Sequence, residues 1–120
     1  MTPFGARVRA LRKERGITLK QMAADLDVSA AYLSALEHGR RGRPTWFMVQ
    51  EITRYLDIIW DEAEELARLA KLSHPKVTID TAGLSPKATE LANRLAERIQ
   101  DLDETELDAL LAAVEKGPKP

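Results

Sequence analysis

The sequence predicts an all-α protein in two parts, a five-helix domain over residues 1–72 and a helical extension over residues 73–120. Apolar residues recur at helical spacing along the chain. Gly, Pro, Ser, Thr and Asp separate these segments at positions typical of helix caps. Residues 1–56 contain ten Lys/Arg and five Asp/Glu, whereas residues 57–120 contain eight and fourteen. A basic first half and an acidic second half predict a polyanion-binding surface on the first part only.

Composition excludes several classes of site. The chain has no cysteine, which rules out a disulfide scaffold, a Cys-ligated metal and a thiol nucleophile. The two histidines, His38 and His74, have no acidic neighbours at metal-ligand spacing, so we expect no metal site and no cofactor. The sequence contains neither a Gly-rich phosphate loop nor a Ser/His/Asp arrangement, and we therefore expect no enzyme and no catalytic residues.

The sequence also contains no sign of a membrane segment. No apolar run approaches the roughly 20 residues that span a bilayer. The N-terminus lacks the continuous apolar stretch of a signal peptide. We expect a cytoplasmic, nucleoid-associated protein with no membrane partner.

Three helices are expected before residue 40. The first runs from about Pro3 to Arg15 and ends at Gly16, which suits a left-handed C-terminal cap. Thr18 is the expected cap of the second helix and Ser29 that of the third, which runs to about Glu37. The expected inward-facing residues of these helices are Phe4, Val8, Leu11, Leu19, Met22, Ala23, Leu26, Leu33 and Leu36.

Two further helices complete the predicted domain. Pro44 disfavours helical geometry at Arg43, so the fourth helix should begin at about Thr45. Asp61 and Glu64 resemble a capping box that starts a fifth helix, which runs to about Leu72. The apolar positions of these two helices are Met48, Ile52, Tyr55, Leu56 and Ile59, then Ala63, Leu66, Ala67 and Ala70.

The extension begins irregularly and ends in two amphipathic helices. The alternation in VTIDT (77–81) predicts a short strand. Ser85-Pro86 predicts a helix over 86–100, and Asp103 with Glu106 predicts one over 103–115. Two helices alone have little core, so they must pack on the fifth helix or on a second chain. We expect a symmetric homodimer. The residues expected to form its interface are Leu91, Leu95, Ile99, Leu107, Leu110, Leu111 and Val114.

Residues 19–38 have the spacing of a helix-turn-helix, in which two short helices cross closely through a short turn. Ala23 is the small residue required at the crossing. Asp27 occupies the turn position that adopts left-handed backbone, which Asp tolerates better than most residues. Val28, Leu33 and Leu36 supply the apolar anchors of the turn and the second helix.

The segment TLKQMAADLDVSAAYLSALEHGRRGRP, with the preceding ALRKERGIT, resembles the XRE family of Cro- and phage-repressor-like regulators. The resemblance covers about residues 4–58. It implies a five-helix, lambda-repressor-like domain that binds double-stranded DNA, with Ala30–Glu37 as the recognition helix in the major groove. A transcriptional repressor that binds as a homodimer is the expected function.

The resemblance also implies which residues contact DNA. Ala30, Ala31, Ser34 and Ala35 face the bases, and three alanines restrict direct readout to contacts such as thymine methyl groups. DNA shape and the flanking arginines are therefore expected to supply much of the discrimination. Leu19 stands where many members have a phosphate-binding Gln. The other expected contacts are Lys20, Gln21, Ser29, Tyr32, His38, Arg40, Arg41 and Arg43.

The resemblance further implies a structural ion pair between Arg12 and Glu37. Trp46, Phe47 and Trp60 have helical spacing that favours core or interface packing over a stacking platform. Two other functions stay open: an antitoxin-type autoregulator bound to a protein partner, and an interaction adaptor that does not bind DNA. A small-molecule effector is neither indicated nor excluded by the residues.

Overall fold

The computed structural model describes residues 1–40 and 42–115. Seven α-helices follow in order, and the all-α prediction is confirmed. A short 3₁₀ helix, Ile99–Asp101, separates the last two. The helices are α1 (Pro3–Glu14), α2 (Leu19–Asp25), α3 (Ala30–His38), α4 (Trp46–Tyr55), α5 (Trp60–Lys71), α6 (Pro86–Arg98) and α7 (Glu104–Glu115).

The chain divides into two compact units, Met1–Val77 and Thr78–Pro120. The strand expected over residues 77–81 was wrong, because these residues have no regular structure. Val77 and Ile79 are exposed. An isolated extended segment has no second strand to satisfy its backbone groups, so the alternation of side chains alone does not produce a strand.

Hydroxyl side chains cap the first four helices. Each accepts a hydrogen bond from the backbone N–H three residues later, which satisfies a group that the helix leaves unpaired. The pairs are Thr2 with Gly5, Thr18 with Gln21, Ser29 with Tyr32 and Thr45 with Met48, at 3.0–3.1 Å. The caps expected at Thr18 and Ser29 are confirmed.

Four of these helix ends share one turn geometry. Gly16, Asp27, Gly39 and Asp57 have φ of 67°, 59°, 79° and 54°. In each turn the N–H of this residue bonds to the carbonyl three positions back, and the next N–H bonds to the carbonyl five positions back. This is the Schellman motif, which pairs the last carbonyls of a helix.

Two predictions at the junction of α4 and α5 were wrong. The residue after the left-handed Asp57 folds back onto its helix, so Ile58 is buried, whereas Ile59, which helical spacing placed inward, is exposed. Asp61 and Glu64 form no capping box, because α5 begins at Trp60 and its cap position is Ile59, two residues before Asp61, where no side-chain hydrogen bond is formed.

The first unit has one apolar core to which all five of its helices contribute. Of the expected inward residues, Leu19, Leu26, Tyr55, Ala63 and Ala67 are only half-buried. The buried members are Phe4, Val8, Leu11, Met22, Ala23, Leu33, Leu36, Met48, Val49, Ile52, Leu56, Ile58, Leu66 and Ala70.

Two residues that are not part of the apolar core, Gly5 and Ser73, hold α1 against its neighbouring helices. Gly5 lies so close to α3 that a Cβ there would overlap the backbone carbonyl of Glu37. The backbone N–H of Phe4 donates to Oγ of Ser73 at 2.9 Å, and that hydroxyl donates to the carbonyl of Leu69 at 2.6 Å. Ser73 is buried, so the start of α1 and the end of α5 are joined inside the unit.

The second unit is a pair of amphipathic helices without a buried residue. Ser85 caps α6, with Pro86 at its first position. Asp103 and Glu106 exchange the two hydrogen bonds of a capping box before α7, as expected. The apolar stripe is largely uncovered in the single chain. Leu91 and Ile99 are exposed, as are Leu110, Leu111 and Val114, while Leu95 and Leu107 are half-buried.

Candidate nucleic-acid interface

The turn between α2 and α3 has the geometry predicted for a helix-turn-helix. Asp27 has φ of 59°, so the expected left-handed residue is confirmed. The N–H of Val28 donates to the carbonyl of Ala23 at 2.9 Å, and the Val28 side chain packs against the core. Because Leu33 and Leu36 are buried beneath α3, the opposite face of that helix is fixed outward.

The outward face of α3 is small and accessible. Ala30 and Ala31 are exposed, while Tyr32, Ser34 and Ala35 are half-buried. None of the five is buried, so a binding partner can contact this face. Apart from Tyr32, it offers only methyl groups and the short hydroxyl of Ser34.

Polar groups border this face at both helix termini. The Ser29 hydroxyl accepts from the Tyr32 N–H and so is fixed at the start of α3. At the other end, Nδ1 of His38 lies 2.9 Å from the carbonyl oxygen of Ser34, which holds the exposed imidazole against its own helix. The helix N-terminus itself favours an anion.

Lys20 and Gln21, at the start of α2, are both exposed. Gln21 already has a partner, because its Nε2 donates to Oδ1 of Asp25 at 3.0 Å. A phosphate contact by the Gln21 amide therefore requires this internal bond to be exchanged or shared. Lys20 forms no ion pair with a described carboxylate.

The loop after α3 contains three arginines and no acidic residue. Arg40 and Arg43 are exposed, and neither forms an ion pair within the described chain. Arg41, the third arginine expected to contact phosphate, lies outside the described residues. Uncompensated guanidinium groups beside a helix-turn-helix suit a phosphate backbone.

Arg12 and Glu37 form the expected pair beneath this surface. Nε of Arg12 lies 3.2 Å from Oε2 of Glu37, and both side chains are nearly buried. Nη1 of Arg12 also donates to the carbonyl of Ile17 at 3.0 Å. The pair fixes the last turn of α3 against α1, so its role in the site is to position α3.

A second polar contact fixes α2 to α4. The Tyr55 hydroxyl donates to Oδ2 of Asp25 at 2.6 Å. This bond raises the pKa of Tyr55 to about 12, with smaller contributions from burial and the Asp25 charge. The Tyr55 hydroxyl, and then the Gln21 amide, hold the pKa of Asp25 below its usual value. At neutral pH the contact therefore joins a carboxylate and a protonated phenol.

Trp46, Phe47 and Trp60 do not pack in the core, one of the two placements that the sequence favoured, and packing at an interface stays a prediction. Trp46 is 69% exposed, Phe47 68% and Trp60 80%. Trp46 and Phe47 occupy the first two positions of α4, and Met48 is the first of its residues to turn inward. Helical spacing places a residue on a face, but in the first turn of a helix it does not decide whether that face has a neighbour.

Three structural residues were missed from the sequence: Gly5, Asp25 and Ser73. Gly5 did carry a signal, because glycine inside a helix costs about 1 kcal/mol relative to alanine and usually marks a close approach. Asp25 and Ser73 carried none, since their partners lie 30 and 69 positions away.

Membrane spans and metal clusters are both absent from residues 1–40 and 42–115. None of the helices there has the length and apolar character needed to cross a membrane. Among residues 1–40 and 42–115, no three His, Asp or Glu side chains are grouped so as to hold a metal ion.

Comparison with known proteins agrees with this geometry. The chain is 39% identical over 61 residues to the HTH-type transcriptional repressor RghR of Bacillus subtilis (strain 168), which covers 51% of this chain and 45% of RghR. It is 30% identical over 55 residues to the HTH-type transcriptional regulator SinR of the same organism, covering 46% and 50%. The chain thus spans about half the length of the curated relatives it matches.

No solved structure matches the chain. The family described as "Helix-turn-helix domain" matches residues 3–66, more than half of the sequence, and includes all of α1–α4. The resemblance to XRE-type regulators inferred from the residues is thereby confirmed, and the chain belongs to the helix-turn-helix domain family.

Proposed function

We propose that this protein binds double-stranded DNA with α3 in the major groove and regulates transcription. The observation that carries the proposal is the outward face of α3, in which no residue is buried and which lies beside exposed cations that form no ion pair with a described residue. An α-helix fits the major groove, and phosphate contacts by Arg and Lys supply most of the affinity.

The proposed contacts to DNA are of two kinds: contacts to phosphates, which position the protein, and contacts to bases, which recognise the sequence. Arg40, Arg41, Arg43 and Lys20 are proposed to bind phosphates, assisted by the N-terminal end of α3. Ser34 is proposed to hydrogen bond to a base, and Ala30, Ala31 and Ala35 to contact thymine methyl groups. Because methyl contacts discriminate weakly, we expect sequence-dependent DNA shape to contribute at positions that no side chain touches.

The second unit supports a homodimer. Two amphipathic helices with no buried residue leave an apolar stripe exposed, and a second copy would bury both stripes by symmetry. The proposed interface residues are Leu91, Leu95, Ile99, Leu107, Leu110, Leu111 and Val114. The acidic composition of this part keeps it away from phosphates, so the basic units of the two copies would face DNA.

Repression is the proposed outcome of binding. The relative RghR is named a transcriptional repressor. A dimer that occupies two half-sites on one side of the duplex blocks polymerase sterically, without any additional activity.

Selection of bound sequences from a random duplex pool tests this function. We expect a preferred site with two inverted half-sites about one helical turn apart, or a multiple of that distance. Repeating the selection with Ser34→Ala should change the preference at one base pair in each half-site, by roughly 1–3 kcal/mol. No enrichment, together with no salt-dependent binding to random duplex, would contradict DNA binding by this chain.

A further inference from the structure

A groove of about 450 Å³ opens on the first unit between the start of α4 and the end of α5. Its apolar surface is formed by Val49 and Ala70, which are buried, and by the half-buried Ala67. Trp46 forms one wall with most of its indole uncovered. The complete lining is Arg43, Pro44, Thr45, Trp46, Val49, Ala67, Ala70 and Lys71.

Both charged residues of the lining are cations. Arg43 and Lys71 are exposed, and no carboxylate is present among the lining residues. Neither side chain forms an ion pair in the described part of the chain. Both cations would attract an anion bound in the groove.

The shape and chemistry together define a ligand class. Small-molecule sites have volumes of about 300–1,000 Å³, mostly apolar and aromatic linings, and a few charged groups that orient the ligand. We propose that this groove binds a small amphiphilic carboxylate, whose apolar body packs on Trp46, Val49 and Ala67 and whose carboxylate bonds to Arg43 and Lys71.

The location of Arg43 makes the ligand a regulator of DNA binding. This step rests on the proposed function, in which Arg43 binds a phosphate. A guanidinium engaged by a ligand carboxylate is no longer available to phosphate, and DNA in turn withdraws Arg43 from the groove. The two ligands therefore weaken each other's binding by the same factor.

Fluorescence of Trp46 tests ligand binding directly. The chain has two tryptophans, so Trp60→Phe leaves Trp46 as the sole indole, and Trp60 does not line the groove. The probes are 4-phenylbutyrate and octanoate, with 4-phenylbutan-1-ol as the uncharged counterpart. We expect a saturable change with each carboxylate and at least roughly tenfold weaker binding of the alcohol, as for loss of a charge-assisted hydrogen bond.

Substitutions then assign the binding to the groove. Lys71→Ala should weaken 4-phenylbutyrate binding roughly tenfold. Lys13→Ala removes an exposed cation outside the lining and should leave the affinity unchanged. Ala67→Leu should abolish binding by filling the groove, with circular dichroism confirming that the fold is kept. No saturable change with either carboxylate, or equal affinity for acid and alcohol, overturns the proposal.

The link to DNA is measured separately by titrating a random duplex with and without saturating 4-phenylbutyrate. We expect weaker duplex binding in its presence, and no such effect in Arg43→Ala. Binding of the carboxylate without any duplex binding would contradict the proposed function and leave the groove site intact. Duplex binding that saturating carboxylate leaves unchanged overturns the regulatory step.

Discussion

Nε of Arg12 lies 3.2 Å from Oε2 of Glu37, with about a tenth of one side chain and less of the other exposed to solvent. A pair this buried is stabilised by its mutual attraction and by the extra bond from Arg12 to the carbonyl of Ile17. Replacing one residue of the pair leaves the charge of the other without a partner in a poorly solvated position. The pair joins α1 to the end of α3, so the orientation of the proposed recognition helix depends on it.

Glu37→Gln should destabilise the protein by about 3–5 kcal/mol, because Arg12 then keeps its charge without a counter-charge. Urea unfolding measures the change. The double variant Arg12→Met/Glu37→Gln should recover a large part of the loss. Arg54→Met at the exposed Arg54–Glu51 pair is the matched control and should cost no more than about 0.5 kcal/mol. Equal losses at the two pairs would contradict the role of burial.

Gly5→Ala should destabilise the first unit, although alanine is the better helix former. The added Cβ overlaps the backbone carbonyl of Glu37, so α1 and α3 must move apart, at a cost of about 1–3 kcal/mol. Thermal and urea unfolding report the loss. Ala6→Gly is the control at an exposed neighbouring position and should also destabilise, by about 1 kcal/mol, because there the propensity of alanine prevails. A more stable Gly5→Ala variant would disprove the close approach.

Tyr55→Phe should raise the pKa of Asp25 toward its ordinary value of 3.8, because the phenol hydroxyl is the larger of the two hydrogen bonds that lower it. Carboxyl ¹³C shifts followed against pH measure this change. Gln21→Ala should raise the same pKa by less. A pKa of Asp25 that stays the same in Tyr55→Phe would show that the bond is absent in solution.

The same contact predicts the dependence of stability on pH. Folding lowers the pKa of Asp25, so its contribution is present above pH 3.8 and is lost as the pH falls through the lowered value. Folding raises the pKa of Tyr55 from 10.0 to about 12, so its contribution is present below pH 10.0 and is lost as the pH rises through about 12. Unfolding curves of Tyr55→Phe should lack the alkaline part of this dependence.

Arg40→Ala and Arg43→Ala should weaken binding to specific and random duplex alike, since phosphate contacts carry no sequence information. Each should reduce the slope of log affinity against log salt by about one unit. Fluorescence anisotropy at several salt concentrations measures both quantities. Lys13→Ala again serves as the control for loss of a cation. Unchanged slopes in both arginine variants would remove these residues from the interface.

A chain ended after Val77 should remain folded and become monomeric, because the first unit contains its own core and lacks the proposed interface. Sedimentation equilibrium compares it with the full chain, which we expect to be a dimer. Leu91→Glu in the full chain should also dissociate the dimer, whereas Asn93→Glu on the other side of α6 should not. A monomeric full chain would contradict self-association and favour a different protein partner for the stripe.

Local rules of helix termination account for most of what the sequence predicted correctly. Ser29, Asp27 and Gly16 specify their caps and turns through their own side chains or backbone freedom, so the boundaries of α1–α3 follow from a few neighbouring residues. The burial of Ile58 did not follow, because it depends on Asp57 adopting left-handed backbone. Helical periodicity continued across that turn gave Ile59 instead.

The sequence was less informative wherever a contact joins distant segments. The bond of Asp25 to Tyr55 requires that the last residues of α2 and α4 meet, which no pattern within either helix specifies. Exposed Trp46 and buried Met48 lie on one helix two positions apart, and their difference depends on which face of α4 packs on the core. The expected DNA contacts came from family resemblance, whereas their accessibility required the packed domain.

The hydrogen bond from Phe4 to Ser73 can form only late in the synthesis of the protein. Translation produces the N–H of Phe4 first, yet its acceptor emerges 69 residues later. A ribosome-bound chain that has exposed only α1–α4 still lacks the contacts between α1 and α5. The start of α1 therefore gains its bond to Ser73 only when that residue, which follows the end of α5, has left the exit tunnel.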